Sequence, residues 1–553
     1  MVERIPVLIA GGGPVGLTLG IDLAHRGVPS LLVEPRDGPT EHPKATLLGA
    51  RSMELFRRWG LDEEIYEACI RQKDAYYIVF CDRLAGHELH RFASPPVERI
   101  RARDPDAAAR WRELAWSPYG KTQIGQQALE PVLLRHAARL PALTMRHGWR
   151  LVAFEERGDH VRATLEDVAS GVREEVEADW LVGCDGGSSG VRRALGGRMH
   201  GRGRIRSNVS YLFRSQDFLK VHGKGLANLY FCFTPGCYGV FTAIDGREVW
   251  NYQYYWADPT RDDTAPPDDP AKILHAAMGR PFDFELLGTT HWYHHQSVAA
   301  EWRRGRVFLA GDAAHLFVPT GGVGMNTGIG DAADLAWKLA AVLEGWGGDA
   351  LLDSYEAERK PVAIRNSLIS ATNSDRIDMV MAETPPHIGD ADARGALARA
   401  RLKDRIIWMS RQFNSAGVHL GYRYVDSPAI VPDGTPEPPD DPNQLVPSTW
   451  PGSRLPHAWL PDGRSTLDLL GRGFTLVGAS LTPEAPRLLA AMRAAGMPVS
   501  VQRCDAGLPG GPGLVLVRPD GHVGWRGTRD PVDAERIVAT LSGRGATAQT
   551  RAA

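Results

Sequence analysis

The sequence predicts an α/β protein in which a parallel-sheet domain carries an antiparallel-sheet insertion and is followed by a smaller C-terminal α/β unit. Three observations support this. The apolar strand Val7-Leu8-Ile9-Ala10 runs into Gly11-Gly12-Gly13-Pro14-Val15-Gly16. Some three hundred residues later a second apolar strand, Val307-Phe308-Leu309-Ala310, ends in Gly311-Asp312. Between them, residues 206–295 break into short alternating runs rich in aromatics. The chain divides accordingly: 1–180, 181–205 and 296–385 for the first domain, 206–295 for the inserted sheet, 386–450 for a helix and Pro-rich linker, and 451–545 for the C-terminal unit.

The first motif has a specific physical reading. Gly11, Gly13 and Gly16 fit the G-x-G-x-x-G pattern of a Rossmann-like turn: a tight bend, a close approach of a pyrophosphate to the backbone, and close helix–strand packing. Pro14 opens a helix whose N-terminal N–H groups and positive dipole end face the phosphates. Gly27 ends that helix and the strand Pro29–Glu34 follows, closing on Glu34. A carboxylate there accepts ribose hydroxyls and repels a 2′-phosphate, so the site favours FAD or NAD over NADP.

Bulk properties limit the function classes. The 553 residues exceed one ordinary core, and 43% hydrophobic with 24% charged residues is the balance of a globular protein. A formal net charge of -2 gives no support for a nucleic-acid partner. No apolar run is long enough to span a bilayer, and the first strand begins by Ile5, leaving no room for a signal peptide. Six scattered cysteines lack metal or CxxC spacing, which points to reduced thiols, a cytoplasmic location and no metal. Cys232 and Cys237 are the one spacing that could be a redox pair.

Further elements follow in order. Ala50 to Trp59 is an amphipathic helix stopped by Gly60, and Gln126 opens another that ends near Leu140. A hairpin joins Leu151–Glu155 to Val161–Leu165, after which Trp180 to Gly183 returns to the core and leads into Asp185-Gly186. Downstream, Gly311-Asp312 offers a carboxylate suited to a flavin ribityl chain. The loop Pro319-Thr320-Gly321-Gly322-Val323-Gly324-Met325-Asn326 opens a helix expected over Thr327 to Leu343. Its N–H groups would face the flavin edge where negative charge accumulates on reduction. The two glycine motifs together point to FAD. The inserted region, with runs such as Val209–Arg214, Leu229–Phe233, Tyr238–Ile244 and Val249–Trp256, reads as about five antiparallel strands whose inner face covers the flavin ring. Beyond the Pro-rich linker at Asp433–Pro442, the C-terminal unit shows a strand–helix–strand–strand order.

The chain resembles the single-component FAD-dependent aromatic hydroxylases, the family of para-hydroxybenzoate and phenol hydroxylases, and in layout the polyketide-tailoring hydroxylases. The matching residues are Gly11, Gly13 and Gly16; Asp185-Gly186 with Ser189 and Arg192; and Gly311-Asp312 with Pro319, Gly321, Gly324, Asn326 and Asp331, over about residues 5–370. The resemblance implies that Arg51 and Gln126 lie near the FAD pyrophosphate and ribityl. It also implies that Asp185, Gly186 and Arg192 serve the FAD and the NADPH (or NADH) co-substrate, and that Pro319 to Asn326, Met325 included, contacts the flavin. It places a small aromatic substrate between sheet and flavin, making Tyr211, Phe231, Tyr238, Phe241, Tyr252, Tyr254 and Trp292 candidate pocket residues. The C-terminal unit is implied to be thioredoxin-like, and its single cysteine, Cys504, excludes dithiol exchange within it, leaving a structural or dimer-forming role.

The implied reaction uses NADPH and O2 to hydroxylate a phenolic or polycyclic aromatic compound through a flavin C4a-hydroperoxide. Baeyer–Villiger or epoxidising oxygenation, and a flavin-binding relative that does not turn over, are the alternatives. A base that ionises the phenol could be His42, His294, His295 or a tyrosine, and the sequence selects none, so the catalytic residues stay unknown.

Overall fold

The computed structural model describes residues 4–72, 76–255, 269–478, 485–504, 508 and 513–545. Trp256, expected in the last aromatic strand, lies outside them. The first sheet is built on Arg4–Ala10, which pairs in parallel with Ser30–Glu34 on one side and with the second half of Arg173–Gly183 on the other. Leu143–His147 and Val307–Leu309 extend it in parallel at its two sides. Val7, Leu8 and Ile9 are fully buried, as a strand covered on both faces requires. The hairpin Trp149–Glu156 and Val161–Asp167 pairs antiparallel with the outer half of Arg173–Gly183.

The second sheet has eight strands, not about five. In spatial order they are His315–Leu316, Glu285–Ala299, Met199–Arg214, Val249–Tyr255, Gly239–Ala243, Leu229–Cys232, Tyr76–Cys81 and Glu88–Ser94. The sheet therefore reaches outside residues 206–295: the hairpin at 76–94 joins it through a parallel pairing of Leu229 with Ile78 and Phe231 with Phe80. Alternation along a strand shows that one face is buried but not which distant strand lies alongside. One face packs on the helices Phe218–His222 and Pro270–Met278, with Tyr211, Phe213, Phe241, Trp250 and Tyr252 in that core. Where the opposite face is covered, it meets the helices Asp349–Ala382 and Ala393–Ser410.

The C-terminal unit forms a four-stranded sheet ordered Val499–Arg503, Phe474–Gly478, Leu514–Val517, Val523–Gly527, in which the first pair is parallel and the others antiparallel. It is not separable. Phe474, Leu476, Leu488 and Leu516 share one core with Trp337, Ala341, Trp346 and Leu351 of the first domain. Beside this core lies a buried charge cluster in which Arg518 bonds Glu358, Asp334 and Asp520 while Lys338 bonds Asp334 and Glu358. Burial and the Glu358 and Asp520 carboxylates raise Asp334 well above the usual carboxylate range. The two cations Lys338 and Arg518 oppose that shift, and each donates to an Asp334 oxygen. The three carboxylates could hold a metal ion by position, but Lys338 and Arg518 already occupy their oxygens. A second interdomain contact joins Arg454 to Glu54, 2.7 Å from its Nε. Of the linker, Tyr422, Tyr424 and Ile430 are buried, whereas Gly434 to Glu437 is exposed. No helix among the described residues is long and apolar enough to cross a membrane.

The cysteines are all unbridged. The neighbour of Cys232 is not Cys237 but Cys81 on the adjacent strand, with sulfurs 3.8 Å apart. Both side chains are buried, and burial raises the Cys232 thiol well above its usual range, so Cys232 behaves as a small apolar side chain.

Candidate functional site

One cavity of about 660 Å³ runs between the two large sheets. Gly11, Gly13, Pro14, Glu34, Gln126, Asp185, Gly186, Asp312, Pro319, Gly321, Gly324 and Met325 all line it. The turn has the geometry expected of it. Gly11 sits at φ +112°, and a Cβ there would lie 2.3 Å from the Cys184 carbonyl oxygen. A Cβ on Gly16 would lie 1.9 Å from the Gly11 carbonyl oxygen, so Gly16 packs the helix against the turn and does not face the cavity. A Cβ on Gly13, in contrast, meets no protein atom within 4 Å: it would point into the space a pyrophosphate needs.

Glu34 closes its strand as predicted. Oε2 accepts the Gly12 N–H at 2.7 Å, and Oε1 accepts from Arg36, a residue that also reaches Glu130. Gln126 donates to Glu130 at 2.7 Å, which fixes its amide at the cavity wall. Asp185 uses Oδ2 to cap Gly190 and Val191, and its buried Oδ1 has no partner. Asp312 opens onto the cavity floor. The protein around the cavity floor desolvates its carboxyl and raises it, opposed by His315, Lys44 and Arg192. The helix after the loop begins at Gly324, three residues before the expected Thr327, so Gly324, Met325 and Asn326 form its first turn and supply its free N–H groups.

Besides Gly16, four predicted contacts stand behind the wall instead of in it. Arg51 turns toward the C-terminal unit, where it bonds Glu54 at 3.2 Å and the Asp520 carbonyl at 2.6 Å. Lys44, seven residues earlier in the sequence, lines the cavity. Arg192 donates to the carbonyls of Ala313 at 2.8 Å and Gly187 at 2.5 Å, fastening the Asp185 segment to the Asp312 segment. Gly311 lies under Val15, where a Cβ would come within 2.9 Å, and its N–H bonds Asp331. The Asn326 amide is fully used: it accepts from Gly49 and Ser52 and donates to Leu47 and Gly322, tying the loop to the helix Ala50–Arg58. Behind it, Asp331 joins His315 at 2.8 Å and Arg359 at 2.9 Å, fully buried.

On the sheet side, Phe231 and Trp292 line the cavity. Tyr211, Phe241, Tyr252 and Tyr254 do not; they point into the core on the other face. Tyr238 packs beside the cluster under the helices without reaching the cavity. The error is one of parity. Phe231, Val240 and Gln253 stand in one cross-strand row, so their face carries Asn251, Gln253 and Tyr255, not Tyr252 and Tyr254. Fixing Phe231 as inward and counting by twos along paired strands would have found these three. Lys121, Gln123, Gln412 and Phe413 also line the space, and no sequence periodicity marks them. Of the candidate bases His295 reaches the cavity, and of the tyrosines Tyr76, Tyr255 and Tyr293 do. His294 is buried against Asn208 at 2.5 Å, and burial pushes it down to about 3; His42 is not in the wall.

A glycine cradle open at Gly13, an unpartnered buried carboxylate oxygen at Asp185 and a helix N-terminus across the space fit an extended dinucleotide with a flavin at its end. The fold and site thus define a flavoprotein. An FAD binding domain family matches residues 4–367, and a family described as the C-terminal domain of aromatic-ring hydroxylases matches 448–544. The chain is 32% identical to aklavinone 12-hydroxylase of Streptomyces purpurascens, over 97% of this chain and 98% of that one. The rebeccamycin biosynthetic enzyme RebC with reduced flavin superposes with a TM-score of 0.87 at 36% identity, covering 98% of this chain and 100% of that one. Aklavinone-11 hydroxylase in complex with FAD and aklavinone gives 0.78 at 30%, covering 98% and 99%. The chain belongs to the FAD-dependent aromatic-ring hydroxylases, and it is a flavin-dependent monooxygenase.

Proposed function

We propose that this enzyme uses NADPH and O2 to hydroxylate a polycyclic phenolic compound of the aromatic polyketide kind. The observation that carries this is a cavity in which the flavin cradle continues, without a dividing wall, into a chamber faced by Phe231, Tyr255, Trp292, Tyr293 and Phe413. Flat aromatic walls of that extent suit a fused-ring substrate. The similarity to enzymes whose names specify aklavinone points the same way. When bound, FAD supplies hydride acceptance and oxygen activation.

The chain's own residues hold and shield. Gly11, Gly13 and Pro14 would receive the pyrophosphate, Glu34 the ribose, and Gln126 and Asp312 the ribityl chain. The N–H groups of Gly324 to Asn326 would face the flavin edge, which gains negative charge on reduction. Asp185 and Gly186 line the approach to the flavin. Arg192 and Asn326 act as positioning residues that hold these segments at their spacing. The aromatic side chains of the chamber, Phe231, Tyr255, Trp292 and Phe413, would limit water at the flavin.

The C-terminal unit we read as thioredoxin-like, supported by its β-α-β then β-β-α order, and as structural in role. A homodimer is the expected assembly. The test is NADPH oxidation in air by the yellow holoenzyme with a panel of mono- and polycyclic phenols. A polycyclic phenol that raises the rate and yields a product one oxygen heavier supports the reading. A flavoprotein indifferent to every phenol overturns it.

A further inference from the structure

The three carboxylates that line the cavity, Glu34, Asp185 and Asp312, all belong to its cofactor end. The chamber under the sheet carries no carboxylate among the described residues, but it does carry a cation, Lys121. Lys121 precedes the short strand Thr122–Gln123, which pairs with Leu47–Leu48 beside the flavin loop. Alternation along this extended segment puts Lys121 and Gln123 on one face, and both line the cavity while Thr122 between them is buried away from it. Gln123 is held by the Tyr76 hydroxyl, which donates to its Oε1 at 3.1 Å.

The Lys121 ammonium donates to the Phe413 carbonyl. It has no ion pair among the described residues, and Glu113 is the acid whose field it feels. One carbonyl leaves two of its three N–H bonds unused. Burial pushes the ammonium down to about 8, which still leaves it mainly charged near neutrality. Two further groups in the same wall lack partners. Asn251 and Gln412 are only 2% and 4% exposed, yet neither Asn251 Oδ1 nor Gln412 Oε1 receives a hydrogen bond. Buried acceptors of this kind are expensive to leave empty.

Building on the aromatic-substrate reading above, we infer that Lys121 is an anion subsite of the substrate chamber: its ammonium takes an ionised oxygen of the aromatic substrate, a phenolate or a carboxylate. Asn251 and Gln412 take neighbouring hydroxyl donors. A phenol bound here releases its proton to water more readily because the resulting anion meets a desolvated cation. Lys121 thus selects substrates with an ionisable oxygen over plain aromatics of the same shape.

The experiment uses FAD-loaded enzyme without NADPH and follows binding by the flavin absorbance change. Its probes are alizarin, an anthraquinone carboxylate and unsubstituted anthraquinone, each titrated into the wild type, Lys121→Met and Lys121→Arg. The visible band of alizarin reports its own ionisation. We expect the wild type to bind the anionic probes more tightly than anthraquinone. Lys121→Met should weaken the anionic probes by about tenfold or more while leaving anthraquinone within roughly twofold, and Lys121→Arg should restore much of the difference. Loss confined to alizarin, with its band returning to the neutral form, identifies phenolate; loss confined to the carboxylate probe identifies that source. Equal loss for all three probes, or no loss for any, overturns the subsite. Because no turnover is read, failure of the hydroxylation reading would appear separately, as NADPH oxidation that no phenol stimulates.

Discussion

Arg518 of the C-terminal unit grips Glu358 of the helix Asp349–Ala382 through two hydrogen bonds of 2.5 and 2.8 Å, with both side chains wholly buried. Removing one partner of such a pair leaves a charge stranded in a medium that cannot solvate it. Arg518→Ala should therefore cost about 3–5 kcal/mol, read as a lower midpoint in urea unfolding. Truncation before Pro451 removes Arg454 and Arg518 together and opens the shared core around Trp337, so it should yield insoluble or flavin-free protein. A truncated chain with an intact flavin spectrum would show the interface to be dispensable.

The acid limb of stability should depend on Glu54 and Glu358. Burial alone would raise both, but Arg454 and Arg51 pull Glu54 below its ordinary value, and Arg518 and Lys338 bring Glu358 to about 2. A depressed carboxyl contributes stability that is present above its unfolded value near 4.5 and lost as pH falls toward the folded one. Asp334 has the opposite sign: its raised carboxyl adds stability at low pH that is withdrawn as pH rises through its folded value. Urea midpoints between about pH 5 and pH 2 should fall steeply in the wild type and less so in Glu54→Gln.

Gly13→Ala and Gly16→Ala should separate ligand binding from folding. The first adds a methyl to open space, so thermal stability should hold while FAD affinity falls by about tenfold or more. The second drives a methyl to 1.9 Å from the Gly11 carbonyl oxygen and should destabilise the protein itself. Circular dichroism melts beside FAD titration of the apoprotein distinguish them.

Asp312→Ala removes a carboxylate on the cavity floor and should weaken FAD retention by roughly ten- to a hundredfold, measured by flavin fluorescence during dialysis. Unchanged affinity would remove Asp312 from the ribityl contact.

Phe231→Ala and Tyr252→Phe test the assignment of sheet faces. Phe231→Ala should change the response of NADPH oxidation to substrates. Tyr252→Phe deletes only a hydroxyl that donates to the Cys237 carbonyl at 2.5 Å on the far side, so it should affect stability and leave the substrate response alone.

Much of the cofactor end was legible because its chemistry is local. Gly11, Gly13 and Pro14 fall within four consecutive positions, and Asp312 sits at the end of an apolar strand, so backbone geometry and residue type suffice. What the sequence concealed depends on pairing between distant segments. The parity of Tyr252 against Gln253 follows from the register with Val240 and Phe231, and Arg51 turns from the cofactor because Asp520, far along the chain, offers a carbonyl. Lys121 and Gln412, 291 positions apart, line one cavity with no periodicity to announce them.

The helix Ala50–Arg58 is gripped at its start by Asn326 of the flavin loop and at Glu54 by Arg454. A chimera that imports another C-terminal unit would thus bring a foreign partner to Glu54 and, one helical turn away, disturb the register of the flavin loop. Exchange of parts between such enzymes should succeed only when the segments around residues 50–58, 334–358 and 454–520 travel as a set.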